Sequence, residues 1–139
     1  MIAAVVDPSV LVAGFIGDSS ASPGRIRSAW REERFTLVIS PNLIAEVEDV
    51  LSRRKFDRWA RDGQGSAYVA IVSAIGATYP DPPTPASEVR DPKDDYLVAL
   101  ARATGTSVIV SVDLDLLEAD LPGIAVYRPR AFLELLDRA

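Results

Sequence analysis

The chain contains neither cysteine nor histidine. The first absence excludes a disulfide framework and any thiolate metal site. The second excludes His-based triads, zinc sites built on imidazole and the commonest general base at neutral pH. Hydrolytic chemistry, if present, must come from carboxylates, hydroxyls or a hard metal ion on oxygen ligands. No apolar run is long enough to span a bilayer, and no basic region precedes the strand-like opening Ile2 to Val6, as it would in a signal peptide. No membrane association and a cytoplasmic location are the default expectations. Lysine is scarce too: 13 of the 15 cations are arginine, leaving Lys55 and Lys93.

What is present suits one core. With 139 residues, 48% of them apolar, the chain is expected to form a single domain over residues 1–139. A net charge of −5 argues against coating nucleic acid by bulk electrostatics. The cations nevertheless cluster, with Arg25, Arg27, Arg31 and Arg34 in one group and Arg53, Arg54, Lys55, Arg58 and Arg61 in another.

Short apolar runs read as strands buried on both faces: Ile2 to Val6, Phe35 to Ile39, Ser107 to Val112 and Ile124 to Val126, with Ala77 to Tyr79 a brief fifth. Between them lie helical stretches. Val10 to Gly14 follows Asp7-Pro8-Ser9. Gly24 to Glu33 follows a polar loop, Asp18 to Pro23, and is expected to turn Ile26, Ala29 and Trp30 inward and its arginines outward. Ser40-Pro41 is an N-cap and first-turn pair, opening a helix with Leu43, Ile44, Val47, Val50 and Leu51 on one face and Glu46 beside it. Arg53 to Asp62 is basic and carries Phe56 and Trp59; Ser66 to Ile75 is helical and stops near Gly76. Pro80 to Ser87, with four prolines, is an extended connector. Asp94 to Thr104, Leu114 to Ala119 and Pro129 to Asp137 complete the helices. Alternation of strand and helix implies a three-layer α/β/α sandwich with a central parallel sheet.

Four acids stand at the turning points of that pattern. Asp7 and Asp113 directly follow strand-like runs, Asp94 opens a helix, and Glu46 projects from a helix just past a strand. In a parallel sheet these positions converge on the crevice at the strands' C-terminal ends, where ligands of open α/β folds bind. Gathered carboxylates repel one another unless a divalent cation joins them. Mg²⁺ and Mn²⁺ prefer such oxygen donors, and a site of this kind suits phosphodiester hydrolysis. Each acid alone has a plainer use: Asp7 as a helix cap, Asp94 and Asp95 as favourable charges at a helix start, Glu46 as solvated surface. Asp91 reads as a turn residue, Asp120 and Asp137 as surface.

The segments Val6-Asp7-Pro8-Ser9-Val10-Leu11, Ser40 to Glu46, Arg90 to Ala101, Ser111 to Leu117 and Tyr127 to Leu133 together resemble the PIN-domain proteins, in order and spacing across nearly the whole chain. The resemblance implies a PIN-like fold and a metal-dependent ribonuclease. Such enzymes are often the toxin of a bacterial type II toxin–antitoxin pair of the VapC type. It carries the acidic catalytic and metal-binding positions onto Asp7, Glu46, Asp94 and Asp113, with Asp115 as an additional metal ligand and Asp95 as a variable neighbour. It implies Mg²⁺ or Mn²⁺ as cofactor, RNA as substrate, an antitoxin protein as possible partner, and a homodimer. Two positions depart from the family pattern. Pro8-Ser9 stands where Thr-Asn is usual, and Ser111 where Thr is usual; Ser9 and Ser111 remain able to hydrogen-bond the carboxylates.

Two enzyme alternatives fail on the residues. Val112 to Asp115 resembles the nucleophile loop of haloacid-dehalogenase-type phosphatases, but too little chain follows it for the rest of that machinery. A receiver domain needs a lysine late in the chain, and Lys93 is the last. The remaining alternative is a PIN fold without catalysis, serving as a protein- or RNA-binding module. Arg25, Arg27, Arg53, Arg54 and Lys55 are candidates for RNA contact against a plainer role as solvated charge. Trp30, Phe56 and Trp59 read as core or interface before stacking platforms.

Overall fold

The computed structural model describes residues 1–60, 63–83 and 95–139. Five short strands, β1 (Ala3–Val6), β2 (Thr36–Ile39), β3 (Ala77–Thr78), β4 (Val108–Val110) and β5 (Ala125–Tyr127), form one sheet in the order β3-β2-β1-β4-β5. Every pairing is parallel, with Val5 opposite Val38 on one side and Ile109 on the other. β1, β2 and β4 are buried almost throughout. Helices cover both faces, so these strands lack the alternation of a half-solvated sheet.

Between β1 and β2 run α1 (Pro8–Ile16) and α2 (Ser22–Arg31); after β2 come α3 (Pro41–Leu51), a 3₁₀ turn (Arg54–Phe56), α4 (Asp57–Ala60) and α5 (Gln64–Ile75). α6 (Asp95–Ala103) precedes β4, α7 (Leu114–Leu117) joins β4 to β5, and α8 (Pro129–Arg138) closes the chain. Proline occupies the first turn of α1, α2, α3 and α8, where a missing N–H leaves no bond unmade. Ser40 caps α3 by accepting the Leu43 N–H at 3.3 Å. The buried face of α3 carries Leu43, Val47 and Leu51, as its spacing requires.

Three local expectations give way. α2 begins at Ser22, two residues early, because Ser22-Pro23 supplies its first turn. Gly24 then lies so close to the preceding loop that a Cβ there would sit 2.5 Å from the Asp18 carbonyl oxygen. β4 ends at Val110, whose carbonyl accepts the Asp7 N–H at 2.9 Å, and the chain then turns outward, leaving Val112 51% exposed. Arg27 does not point away from the helix pair. Its guanidinium lies 5.6 Å from the centre of the Tyr68 ring, and its Nε is buried without a hydrogen-bond partner among the described residues.

The core runs along both sides of β1. Leu11, Ile26, Trp30 and Leu43 are buried among the helices between β1 and β3, while Leu97, Leu100 and Phe132 fill the remaining space. Each such side chain contributes about 1.5–3 kcal/mol relative to exposure. Phe35 meets Phe132 edge-on at 4.9 Å, fastening α8 beside the entry to β2. No helix among the described residues is long and apolar enough to cross a membrane.

The strand order positions the site. The chain steps outward from β1 to β2 to β3, then α6 returns it past β1 to β4. Right-handed crossovers place α6 on the face opposite α1 to α3, and α6 packs across β1 and β4. The connections leaving β1 and β4 therefore diverge, and a crevice opens between the C-terminal ends of those two strands.

Candidate active site at the ends of β1 and β4

Asp7 lies at the head of that crevice, one residue past β1 and only 8% exposed. It is the N-cap of α1, and its Oδ1 accepts the Ser9 N–H at 3.0 Å and the Ser9 hydroxyl at 3.1 Å. Its Oδ2 accepts the hydroxyl of Ser111, a fully buried residue just past β4, at 2.8 Å. The same Ser111 Oγ accepts the Asp113 N–H at 3.0 Å. One hydroxyl thus joins the two loops that leave the adjacent strands. Asp113 in turn caps α7, accepting the Asp115 N–H at 2.8 Å.

A cleft of about 420 Å³ opens over this group, lined by Asp7, Ser9, Glu46 and Asp113 together with Val12, Ala13, Ile16, Val50, Arg53, Lys55, Phe56 and Val112. Glu46 enters from the second turn of α3 and accepts a hydrogen bond from the Tyr96 hydroxyl of α6. The cleft has three kinds of lining. Asp7 and Asp113 stand past the ends of β1 and β4 with Glu46 opposite on α3, apolar side chains come from α1 and α3 and from Phe56 and Val112, and two exposed cations come from the segment after α3.

Of the acids singled out in the sequence, Asp7, Glu46 and Asp113 share this cleft. Asp115 contributes its backbone N–H to Asp113 but is not among the cleft's lining residues. Asp94 lies outside the described residues, as do Asp91 and Arg61. Among the described residues no three acids gather closely enough to form a ready-made ligand cluster. Asp113 stands three residues beyond β4 rather than directly after it, because the ladder ends at Val110. Tyr96 is the contact that reading the sequence missed. It follows Asp94-Asp95, yet nothing in its own stretch points to a glutamate 50 residues earlier.

The donor set fits a hard cation. Every candidate ligand is a carboxylate or hydroxyl oxygen, the preference of Mg²⁺ and Mn²⁺. A carboxylate offers about four acceptor positions; Ser9 and Ser111 occupy three on Asp7, two at Oδ1 and one at Oδ2. A position on Oδ2 remains. No arginine or lysine forms an ion pair with this buried carboxylate among the described residues, so its charge lacks a protein counter-ion. Mg²⁺ typically takes one or two protein carboxylates directly and keeps several waters.

The PIN domain family model matches residues 3–115. Among solved structures, PAE2754 from Pyrobaculum aerophilum superposes with a TM-score of 0.61 at 17% identity, over 100% of this chain and 91% of that one. VapBC2 from Rickettsia felis, solved bound to a DNA fragment from its promoter, superposes with a TM-score of 0.60 at 12% identity, over 91% of this chain and 98% of that one. No curated protein matches the sequence.

Proposed function

Because the chain belongs to the PIN-domain family, we propose that the cleft at the ends of β1 and β4 is the active centre of a Mg²⁺- or Mn²⁺-dependent endoribonuclease, the toxin of a type II toxin–antitoxin pair. The observation that carries this reading is the shared cleft of Asp7, Glu46 and Asp113 at the point where the sheet's connections diverge. The family supports nuclease chemistry, and the fold shared with VapBC2 supports an antitoxin partner. A homodimer and an RNA substrate are the further expectations.

Asp7 and Asp113 would hold the ion, the Asp7 carboxylate oriented by the Ser111 hydroxyl of the neighbouring loop and the Asp113 carboxylate by the Asp115 N–H of the helix it caps. When bound, the divalent ion supplies Lewis acidity to the scissile phosphodiester. Glu46, oriented by Tyr96, would position the attacking water and accept its proton. Asp94 is the proposed fourth acid. Arg53 and Lys55 bring positive charge to the cleft's edge, which favours the approach of a polyanion to a protein of net charge −5.

A non-catalytic module is the second reading, favoured by one observation: Asp7 and Asp113 both cap helices, a role that needs no metal. The experiment that separates the two is cleavage of a mixed RNA pool with Mn²⁺, Mg²⁺ or EDTA, comparing wild type with Asp7→Asn. The nuclease reading expects cleavage that requires metal and falls by on the order of 10²–10³-fold or more in the variant. Cleavage that survives the substitution would move the site elsewhere. Folded protein that neither cleaves nor binds Mn²⁺ in calorimetry would leave the binding module.

A further inference from the structure

We infer that Tyr96 is a positioning residue that holds Glu46 off Arg53, so that the cleft does not close on an ion pair of its own. The consequence for catalysis rests on the ribonuclease reading; the hold on Glu46 does not.

Glu46, Val50 and Arg53 all line the cleft. Spaced by four and then three residues, they form one row along α3 and the turn that extends it. In that turn the Arg53 N–H donates to the Val50 carbonyl at 3.2 Å. Glu46 and Arg53 are thus about 10 Å apart along the axis, a gap that an extended arginine and glutamate close together. Neither side chain is buried, and opposite charges facing one cleft attract. Left to themselves, the carboxylate would swing along the row to the guanidinium. Glu46 would then be lost to the attacking water, and Arg53 to a substrate phosphate.

The structure holds the two groups apart. Among the described residues Glu46 forms no ion pair, and Arg53 pairs with Asp49 at 3.7 Å. Glu46 Oε2 accepts the Tyr96 hydroxyl instead, which leaves Oε1 for the cleft. Tyr96 stands in the first turn of α6, half-buried with its ring packed against the core. α6 lies across β1 and β4, so the hydroxyl is presented from a fixed wall. Tyr96 itself is not among the cleft's lining residues; it acts through Glu46.

The two restraints differ in strength. A hydroxyl donated to a carboxylate is a charge-assisted hydrogen bond. The Arg53–Asp49 pair has both side chains more than half exposed, and pairs of that kind are weakly held. Tyr96 therefore provides most of the separation, and Arg53 stays free to leave Asp49 for a phosphate.

The test reads Glu46 directly, by NMR of folded protein whose glutamate carboxyl groups carry carbon-13, in EDTA at neutral pH. The Glu46 signal is identified by its loss in Glu46→Gln. Arg53→Gln should leave that signal in place in wild type and move it in Tyr96→Phe, where the carboxylate can reach the guanidinium. Cleavage is then followed with Mn²⁺ on one RNA oligonucleotide recovered from the mixed pool. Tyr96→Phe, which keeps the ring, should lower kcat about 10–100-fold, the scale of a misplaced general base, with KM close to wild type. Adding Arg53→Gln should return at least about threefold of kcat while raising KM. A Glu46 signal indifferent to Tyr96→Phe, or moved equally by Arg53→Gln in both backgrounds, overturns the inference. So does a fall in kcat that Arg53→Gln leaves untouched, the result of a merely loosened α6. Wild type that cuts no RNA while the signal responds as expected would overturn the ribonuclease reading and keep Tyr96 as the hold on Glu46.

Discussion

Asp7 and Tyr68 both bury a polar group against α1, one at its first turn and the other at its middle. Tyr68, 2% exposed, donates its hydroxyl to the Leu11 carbonyl at 2.7 Å. Phe15 stacks on its ring at 4.6 Å, and the Arg27 guanidinium covers it from α2. That arrangement is closed: one donor meets one acceptor, and the ring faces are occupied. Asp7 is nearly as buried, yet its carboxylate borders a cleft and retains acceptor capacity after three hydrogen bonds. Burial of a polar group is therefore not in itself a mark of function. Tyr68 stitches helices together, whereas Asp7 is a buried charge with no protein counter-ion among the described residues, and that incompleteness makes it a candidate ligand.

The contrast breaks most visibly at Asp7. Asparagine caps helices about as well as aspartate, so Asp7→Asn should shift thermal unfolding little while removing the metal-dependent cleavage described above. A large loss of stability would instead make Asp7 a structural residue like Tyr68.

Next in size is Ser111→Ala. It leaves Asp7 Oδ2 and the Asp113 N–H each short of a partner. Manganese affinity measured by calorimetry should fall about 10–100-fold, the usual consequence of removing a group that orients metal ligands. Denaturant unfolding should register about 1–3 kcal/mol for the orphaned polar groups. Ser111→Thr, which keeps the hydroxyl, should restore affinity. If alanine binds manganese as well as wild type does, the joined loops serve the fold alone.

Tyr68→Phe should show the reverse pattern. It removes one hydrogen bond and is expected to cost about 0.5–1.5 kcal/mol in urea unfolding, with cleavage unchanged. A drop in activity exceeding the drop in folded fraction would mean that the two regions communicate.

The smallest effect is one of pH. Burial raises the Tyr68 pKa well above its ordinary value of 10.0, while Arg27 and Arg31 act in the opposite direction. From about pH 10 upward the unfolded chain releases this proton and the folded chain keeps it. Stability from this group is fully present below that pH and declines as pH rises. Urea midpoints at pH 9 and 11 should therefore separate more for wild type than for Tyr68→Phe. Equal separation would mean that Tyr68 titrates alike in both states.

Much of this was legible in the residues because it is local. A continuous apolar run such as Thr36–Ile39 specifies a strand with two covered faces, and Ser40-Pro41 specifies where the next helix starts, whatever lies around them. Asp7 and Asp113 were legible for a related reason. A carboxylate just past a buried strand has to cap something, bind something or do both, and each of these caps a helix. Arg27 was misread because its surroundings are not local: periodicity put it on the outer side of α2, while Tyr68 of α5 supplies the ring that draws it in.

The sequence by itself determined the elements, the oxygen-only character of any metal site and the acids at the ends of the strands, since these follow from residue type and short-range geometry. Only the tertiary structure decided that β4 lies beside β1, so that Ser111 reaches across 104 residues to Asp7 and Tyr96 reaches Glu46. Strand order depends on which faces the crossing helices can cover, an energy shared over the whole core. No single stretch of the chain records it.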